Sequence, residues 1–286
     1  MLEGQEGIEW EGWLALALAA EGAGLDGLFR SDHYRSFIRG DPTGSLDAWT
    51  TLAAIAAHTS RIRLGTLVSP VTFRHVSVLS KAVVTVDRIS AGRAELGVGA
   101  GWFEPEHEAY GFALPPLRER FDELDRQLAE LHRQWADGSD IWPKPVQRPR
   151  PPIIVGGRAK PRSLQAAARF ADEYNTIMPT VEEARERRRL LADAALAAGR
   201  EPLVFSMLAG CVVGRDAREF GHRLSAWREF TGRDDAPLLA GTVDQVVESL
   251  RSYANAGVDR VMLQHLVHED IEMVGLLGDI AGALAA

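Results

Sequence analysis

The chain has 286 residues, 46% of them hydrophobic and 25% charged, with a net charge of −8. That composition supports a sizeable core and excludes a disordered chain, and the acidic balance gives no long-range attraction to nucleic acid. No apolar run approaches the ~18 residues that cross a bilayer, and the start (Glu3, Glu6, Glu9, Glu11) lacks a signal peptide's basic charge, so a cytoplasmic protein is expected.

Helix and short strand alternate along the chain. Apolar residues at helical spacing predict a helix over 13–23, stopped at Gly24. A short apolar run over 25–29 ends in the polar Ser31-Asp32-His33. Asp47 caps a second helix to about 57. Residues 62–68 read as a strand, 77–89 as a helix, and 94–98 as a strand entering a glycine-rich turn. Residues 117–135 form a long charged amphipathic helix. The five prolines between 136 and 152 mark an ordered loop.

A buried strand over 153–155 ends at Gly156-Gly157, and Pro161 opens a helix to 170. A strand over 173–178 and a helix over 181–198 follow. In that helix Arg185, Arg187, Arg188 and Arg189 alternate with Glu182, Glu183 and Glu186, the pattern of a solvated face. Residues 203–213 form a strand and 216–230 a helix, and 233–240 read as an inserted loop. Thr242 caps a helix to 256, then come a strand over 258–263 and a closing helix over 271–284. The one cysteine, Cys211, excludes an internal disulfide. With Ala209, Val212 and Val213 beside it, it reads as a buried thiol.

Repeated strand–helix units without hairpin signals predict a parallel sheet, and eight units on this length predict a closed (β/α)8 TIM barrel as a single domain over 1–286. An open doubly wound sheet is the alternative. The barrel carries short insertions and a reduced first strand: only Leu2-Glu3-Gly4 is available as its tail, so the natural chain is expected to start earlier.

In such barrels chemistry sits at the C-terminal strand ends. There the sequence places SDHY (31–34), TLVSP (66–70), GVGAGW (97–102), Gly156-Gly157-Arg158, Asn175 and Gln264-His265. The stretch TLVSPVTFRHVSVLSKAVVTVDRISAGRAELGVGAGWFEPEHEAYG resembles the luciferase-like monooxygenase superfamily, most of all its branch of coenzyme F420-dependent oxidoreductases. SDHY, PPIIVGGRAKPRSLQAAARFADEYN and GTVDQVVESLRSYANAGVDRVMLQHL agree with it, so the likeness runs over nearly the whole chain.

The resemblance implies a bound deazaflavin, coenzyme F420, or in the alternative FMN, together with a small-molecule substrate. Asp32 and His33 then touch the cofactor ring from the substrate side, with His33 as the proton partner. Thr66 and Leu67 match a bulge carrying a non-proline cis peptide behind the ring. Gly99, Ala100 and Gly101 allow close backbone approach to the cofactor; GxGxGW is a poor dinucleotide motif, and with Pro105 so near no helix clearly starts at the last glycine. Trp102 walls the ring or the substrate pocket. Gly156, Gly157 and Arg158, before a helix N-terminus, are the phosphate candidate, and Asn175 and Met178 line the cofactor's side chain. Arg74 and Arg93 are read as ties between loops and barrel.

No metal site is expected. The cluster His265-x-x-His268-Glu269 and the acidic loop Glu104-x-Glu106-His107-Glu108 lack ligand spacing on a known frame, and His265 stays a candidate on the substrate side. The function the resemblance implies is hydride transfer between the deazaflavin and a small organic substrate. Its rivals are an FMN-dependent monooxygenase supplied by a partner flavin reductase, a metal-dependent barrel hydrolase, and a non-catalytic flavin-binding barrel. The resemblance also implies a homodimer, for which the row Leu14, Leu16, Leu18 and the helix after Asp47 offer surfaces.

Overall fold

The structure is a computed structural model that describes residues 1–40 and 43–285. A 3-10 turn over Gly4–Glu6 opens the chain, followed by α1 (Trp10–Gly22), β1 (Gly27–Arg30) and α2 (Ala48–His58). Next come β2 (Arg63–Pro70), α3 (Val76–Ile89), β3 (Ala94–Gly99), α4 (Glu104–Tyr110) and α5 (Leu117–Trp135). Then follow β4 (Ile153–Gly157), α6 (Pro161–Phe170), β5 (Glu173–Ile177), α7 (Val181–Ala197) and β6 (Val204–Gly214). The chain continues through α8 (Ala217–Thr231), β7 (Leu239–Thr242), α9 (Val243–Asn255), β8 (Arg260–Gln264) and α10 (Ile271–Ala285).

All strand pairs are parallel: β1 to β6 pair in chain order, and β8 pairs β6. The wall closes through a single residue. Leu2 bridges Arg30 on one side and His265 on the other, with Leu2 N–H donating to Phe29 O at 2.9 Å and His265 N–H to Met1 O at 3.0 Å. The first barrel position is therefore held by one residue, as the reduced strand required. The regular strand outside the barrel wall is β7, which pairs Cys211–Gly214 beyond the β6–β8 ladder. The inserted loop expected over 233–240 thus ends in a strand, because the eleven-residue β6 outruns the barrel and leaves an edge to be paired.

Alternation along each strand decides what fills the barrel. At its N-terminal end the inward side chains are charged. Arg260 donates to Glu95 at 2.8 Å and to Glu173 at 3.1 Å, and stacks over the Phe29 ring. Above them Phe29, Leu67, Ile154, Leu208 and Met262 form a dry plug. The main core lies outside the wall, between strands and helices. Asp47 caps α2 through Thr50 N–H at 2.9 Å, and Arg93 ties the α2–β2 loop by donating to Thr59, Ala56 O and Ile62 O. In α1, Leu16 faces the core and Leu18 the solvent, so the three leucines do not form one row. Among the described residues no helix is long and apolar enough to cross a membrane.

Candidate active site

Above the apolar plug the strand ends open into a bowl. Its shape begins with β2, whose register shifts between Thr66 and Ser69 and whose Leu67–Val68 peptide is cis. The bulge lies at Thr66-Leu67, and the cis bond is the one after Leu67. Thr66 is fully buried and its hydroxyl donates to Gly97 O at 2.9 Å. The glycines of β3 make this fold-over fit. A Cβ on Gly97 would stand 2.1 Å from Thr66 O, and one on Gly99 2.8 Å from Val68 Cγ2. The missing side chains of Gly97 and Gly99 are filled by the bulge of the neighbouring strand. This is a packing reason for the motif that the sequence alone does not reveal.

His33 follows β1 at the rim. Its Nδ1 is 2.8 Å from Glu106 Oε2. Glu106 is fully buried, and its other oxygen accepts the backbone N–H groups of Tyr34 and Arg35. The residues read as an acidic loop are instead α4, with Pro105 in its first turn, where proline suits a helix. His107 anchors that helix, its Nδ1 to Phe103 O at 2.7 Å and its Nε2 to Thr72 Oγ1 at 2.7 Å. Burial alone would lower the His33 pKa, but the Glu106 hydrogen bond and charge, with further help from Glu3 and Asp32, raise it. With Nδ1–H given to Glu106, Nε2 carries the lone pair of the neutral ring, and among the described residues it makes no hydrogen bond within the chain.

Asp32 is buried beneath this corner. Arg74 grips it with both nitrogens, at 2.6 and 3.1 Å, and also reaches Tyr34 OH at 2.8 Å and Asp47 at 2.6 Å. Trp49 Nε1 donates to Ser69 Oγ, which donates to Asp32. Asp32 therefore orients the segment that carries His33, and its oxygens are turned to Arg74 and Ser69. Arg74 is a tie, as read.

Across the bowl, β4 and β5 end in a more basic rim. Tyr174 OH accepts Ala159 N–H at 2.8 Å and donates to Ser163 Oγ at 2.9 Å. Gly157 leaves room for this hub, since its Cβ would lie 2.5 Å from Tyr174 OH. Ala159 and Met178, which follow β4 and β5, both hold positive φ, 53° and 39°. Strain of that kind in non-glycine residues gathers at binding sites. Arg158 is exposed. Arg187 of α7 is not on a solvated face: it reaches back to Thr176 Oγ1 at 2.7 Å, at the level of Gly157. Asn175 points inward and donates to Ser206 Oγ at 2.8 Å.

The structure thus brings His33, Trp102 and the Gly99–Gly101 turn to one side and Gly156, Gly157, Arg158, Asn175 and Met178 to the other, with Leu67 in the floor. It moves His265 away. That side chain is buried under α8, where it lines a small cavity with Cys211, Arg223 and Trp227. Among the described residues no group of His, Cys, Asp or Glu is placed to hold a metal ion. Sequence reasoning missed Glu106 and Arg187. The proline immediately before Glu106 was the available signal of a helix start. It also missed Glu3, which is buried and accepts from Gln264 at 2.6 Å and Gln5 at 2.9 Å.

The donor set suits a flavin-like cofactor. A dry floor of Leu67, Leu208 and Met262 offers an apolar bed for a ring system, and the Ala159–Arg158 turn with Arg187 offers positive charge for an anionic tail.

The model of the family described as luciferase-like monooxygenase matches residues 2–234. An uncharacterized protein of Mycobacterium tuberculosis (strain ATCC 25618 / H37Rv) is 32% identical over 222 residues, 73% of this chain and 74% of its own. The F420-dependent glucose-6-phosphate dehydrogenase of Nakamurella multipartita is 33% identical over 56% of this chain and 50% of its own length. Among solved structures, the monooxygenase RslO1 from Streptomyces bottropensis superposes with a TM-score of 0.77 at 26% identity, covering 97% of this chain and 94% of its own.

Proposed function

The chain belongs to the luciferase-like monooxygenase family, and on that premise we propose that it is an oxidoreductase moving hydride between coenzyme F420 and a small organic substrate. The observation that carries this reading is the His33–Glu106 pair at the end of a barrel strand, which leaves Nε2 without a hydrogen bond among the described residues. A bound deazaflavin supplies the hydride-carrying carbon, and the chain's residues do the rest. Leu67 and Val68 would bear its ring, and the Gly99–Trp102 turn would bound the site on one side. Arg158, Arg187 and the Gly156-Gly157 turn would hold the charged tail, while Asn175 and Met178 would line its path.

The substrate's oxygen meets His33 Nε2. That nitrogen takes the hydroxyl proton when an alcohol is oxidised and returns it when a carbonyl is reduced. Buried Glu106 stabilises the imidazolium so formed. Asp32 keeps the segment in place through Arg74.

The second reading is FMN-dependent monooxygenation with a partner reductase, favoured by the likeness to RslO1. A homodimeric cytoplasmic enzyme fits either reading. Equilibrium titration of the purified protein with F420 and with FMN separates them. Saturable F420 binding with FMN at least tenfold weaker is expected. Tight FMN binding without F420 binding overturns the first reading in favour of the second.

A further inference from the structure

We propose that the mouth beside His33 recognises an uncharged substrate with a flat, aromatic-sized apolar body, seated against Trp102 and Phe37. This rests on the oxidoreductase reading for its chemistry, but its geometry stands alone. Three rings meet the His33 imidazole edge to face: Phe37 at 5.3 Å, Trp102 at 5.8 Å and Phe103 at 6.2 Å between centroids. Phe37 and Trp102 also meet each other at 5.7 Å. Aromatic rings usually bury most of their surface, yet Trp102 is 60% exposed and Phe37 39%. The apolar area left open lies next to the unpaired Nε2, where a reacting oxygen would sit.

The wall is built to stay in place. Buried Glu6 accepts the backbone N–H groups of Phe37, Ile38 and Arg39 at 3.1–3.3 Å and the Ser36 hydroxyl at 2.6 Å. Phe103 caps α4, and Glu106 ties α4 to the segment before Phe37. An exposed ring held by so many bonds to a buried carboxylate is a preformed contact surface.

The carboxylates gathered around His33 disfavour an anionic substrate. The groups acting on His33 are carboxylates: Glu106, Glu3 and Asp32. Arg74 is spent on Asp32 and Asp47, while Arg35, Arg39 and Arg120 are turned to Pro105 O, the Phe230 ring and Gly101 O. A phosphate or carboxylate beside His33 would face like charge. The rim's other cations, Arg158 and Arg187, sit across the bowl. The expected substrate therefore differs in kind from the sugar phosphate in the name of the Nakamurella relative.

The test uses the whole chain without added cofactor and reads binding by calorimetry. The probes are 2-acetonaphthone, its charged counterpart 2-naphthoate, and glucose 6-phosphate. The ketone is expected to bind at least tenfold more tightly than the naphthoate, and glucose 6-phosphate not at all. Trp102→Ala should weaken the ketone about tenfold and Trp102→Phe only a few-fold, with thermal unfolding unchanged in both. Trp142→Ala, at another exposed tryptophan on the loop after α5, should change nothing. Equal binding of ketone and naphthoate, preference for glucose 6-phosphate, or indifference to Trp102→Ala overturns the proposal. Wild-type titration with F420 and FMN runs beside it. If neither cofactor binds while the ketone does through Trp102, the oxidoreductase reading falls and this one stands. If a cofactor binds and the ketone does not, only this one falls.

Discussion

Two groups of histidines in this barrel experience opposite fates. His33 sits at the rim, with Nδ1 given to Glu106 and Nε2 without a hydrogen bond among the described residues. His265 and His268 lie under α8, 6.3 Å apart, and the Nε2 of each is buried with no hydrogen-bond partner. Burial opposes the charged ring in both places. At the rim a buried carboxylate overcomes it and the His33 pKa rises. Under α8 nothing does, and His265 falls to about 4 and His268 to about 3. The lesson is that a partner, rather than depth, decides whether a buried histidine is a proton carrier or a neutral packing group.

The largest effect expected from breaking this contrast is at His33. His33→Ala should lower kcat by roughly 10²–10⁴-fold, the usual contribution of a positioned acid or base, while cofactor affinity measured by titration changes little. A loss below about threefold would remove His33 from the chemistry.

The α8 histidines should appear in stability. A histidine whose folded pKa lies below its unfolded value leaves the unfolded state holding more protons between the two. Its stabilising contribution is present above pH 6.5 and is lost as the pH falls toward 4. For His265 the fall from 6.5 to about 4 corresponds to about 3 kcal/mol. Urea midpoints from pH 7 to pH 4 should fall accordingly, and His265→Phe should flatten that slope. An unchanged slope would assign the acid lability elsewhere.

For His33 the sign reverses. Its raised folded pKa contributes stability that is fully present below pH 6.5 and is lost as the pH rises through the folded value. Glu106→Gln should abolish that contribution, move the histidine limb of the pH–rate profile to lower pH, and cost about tenfold or more in kcat. The smallest expected effect is at Cys211. Burial beside His265 pushes its thiol up to about 12. A thiol reagent at pH 8 should leave it unlabelled in the native protein and label it once in urea.

The same contrast explains what the sequence revealed. Strand and helix positions came from local periodicity, and most bounds agree within one or two residues. Arg93 and Cys211 were readable because their neighbours already implied a tie and a buried thiol. Glu106 was not, because its value comes from His33, 73 residues away. Pro105 argues against a helix at the last glycine of GVGAGW, yet it sits in the first turn of α4. Arg187 looked solvated because Glu183 pairs with it four residues back, yet a second nitrogen turns to Thr176. Gly99 reads as a cofactor glycine from the motif alone, and only the structure shows that the space of its missing side chain, like that of Gly97, is filled from β2. His265 sits at a strand end, and strand-end position alone does not say which side of the wall a side chain takes.

The most direct measurement is an NMR pH titration of the ring nitrogens in histidine-labelled protein, assigned with His33→Ala and His265→Phe. The account expects His33 to titrate above 6.5, in the tautomer protonated at Nδ1 when neutral, while His265 and His268 stay uncharged down to below pH 5. A His33 that titrates below 6.5, or that carries its neutral proton on Nε2, would contradict it.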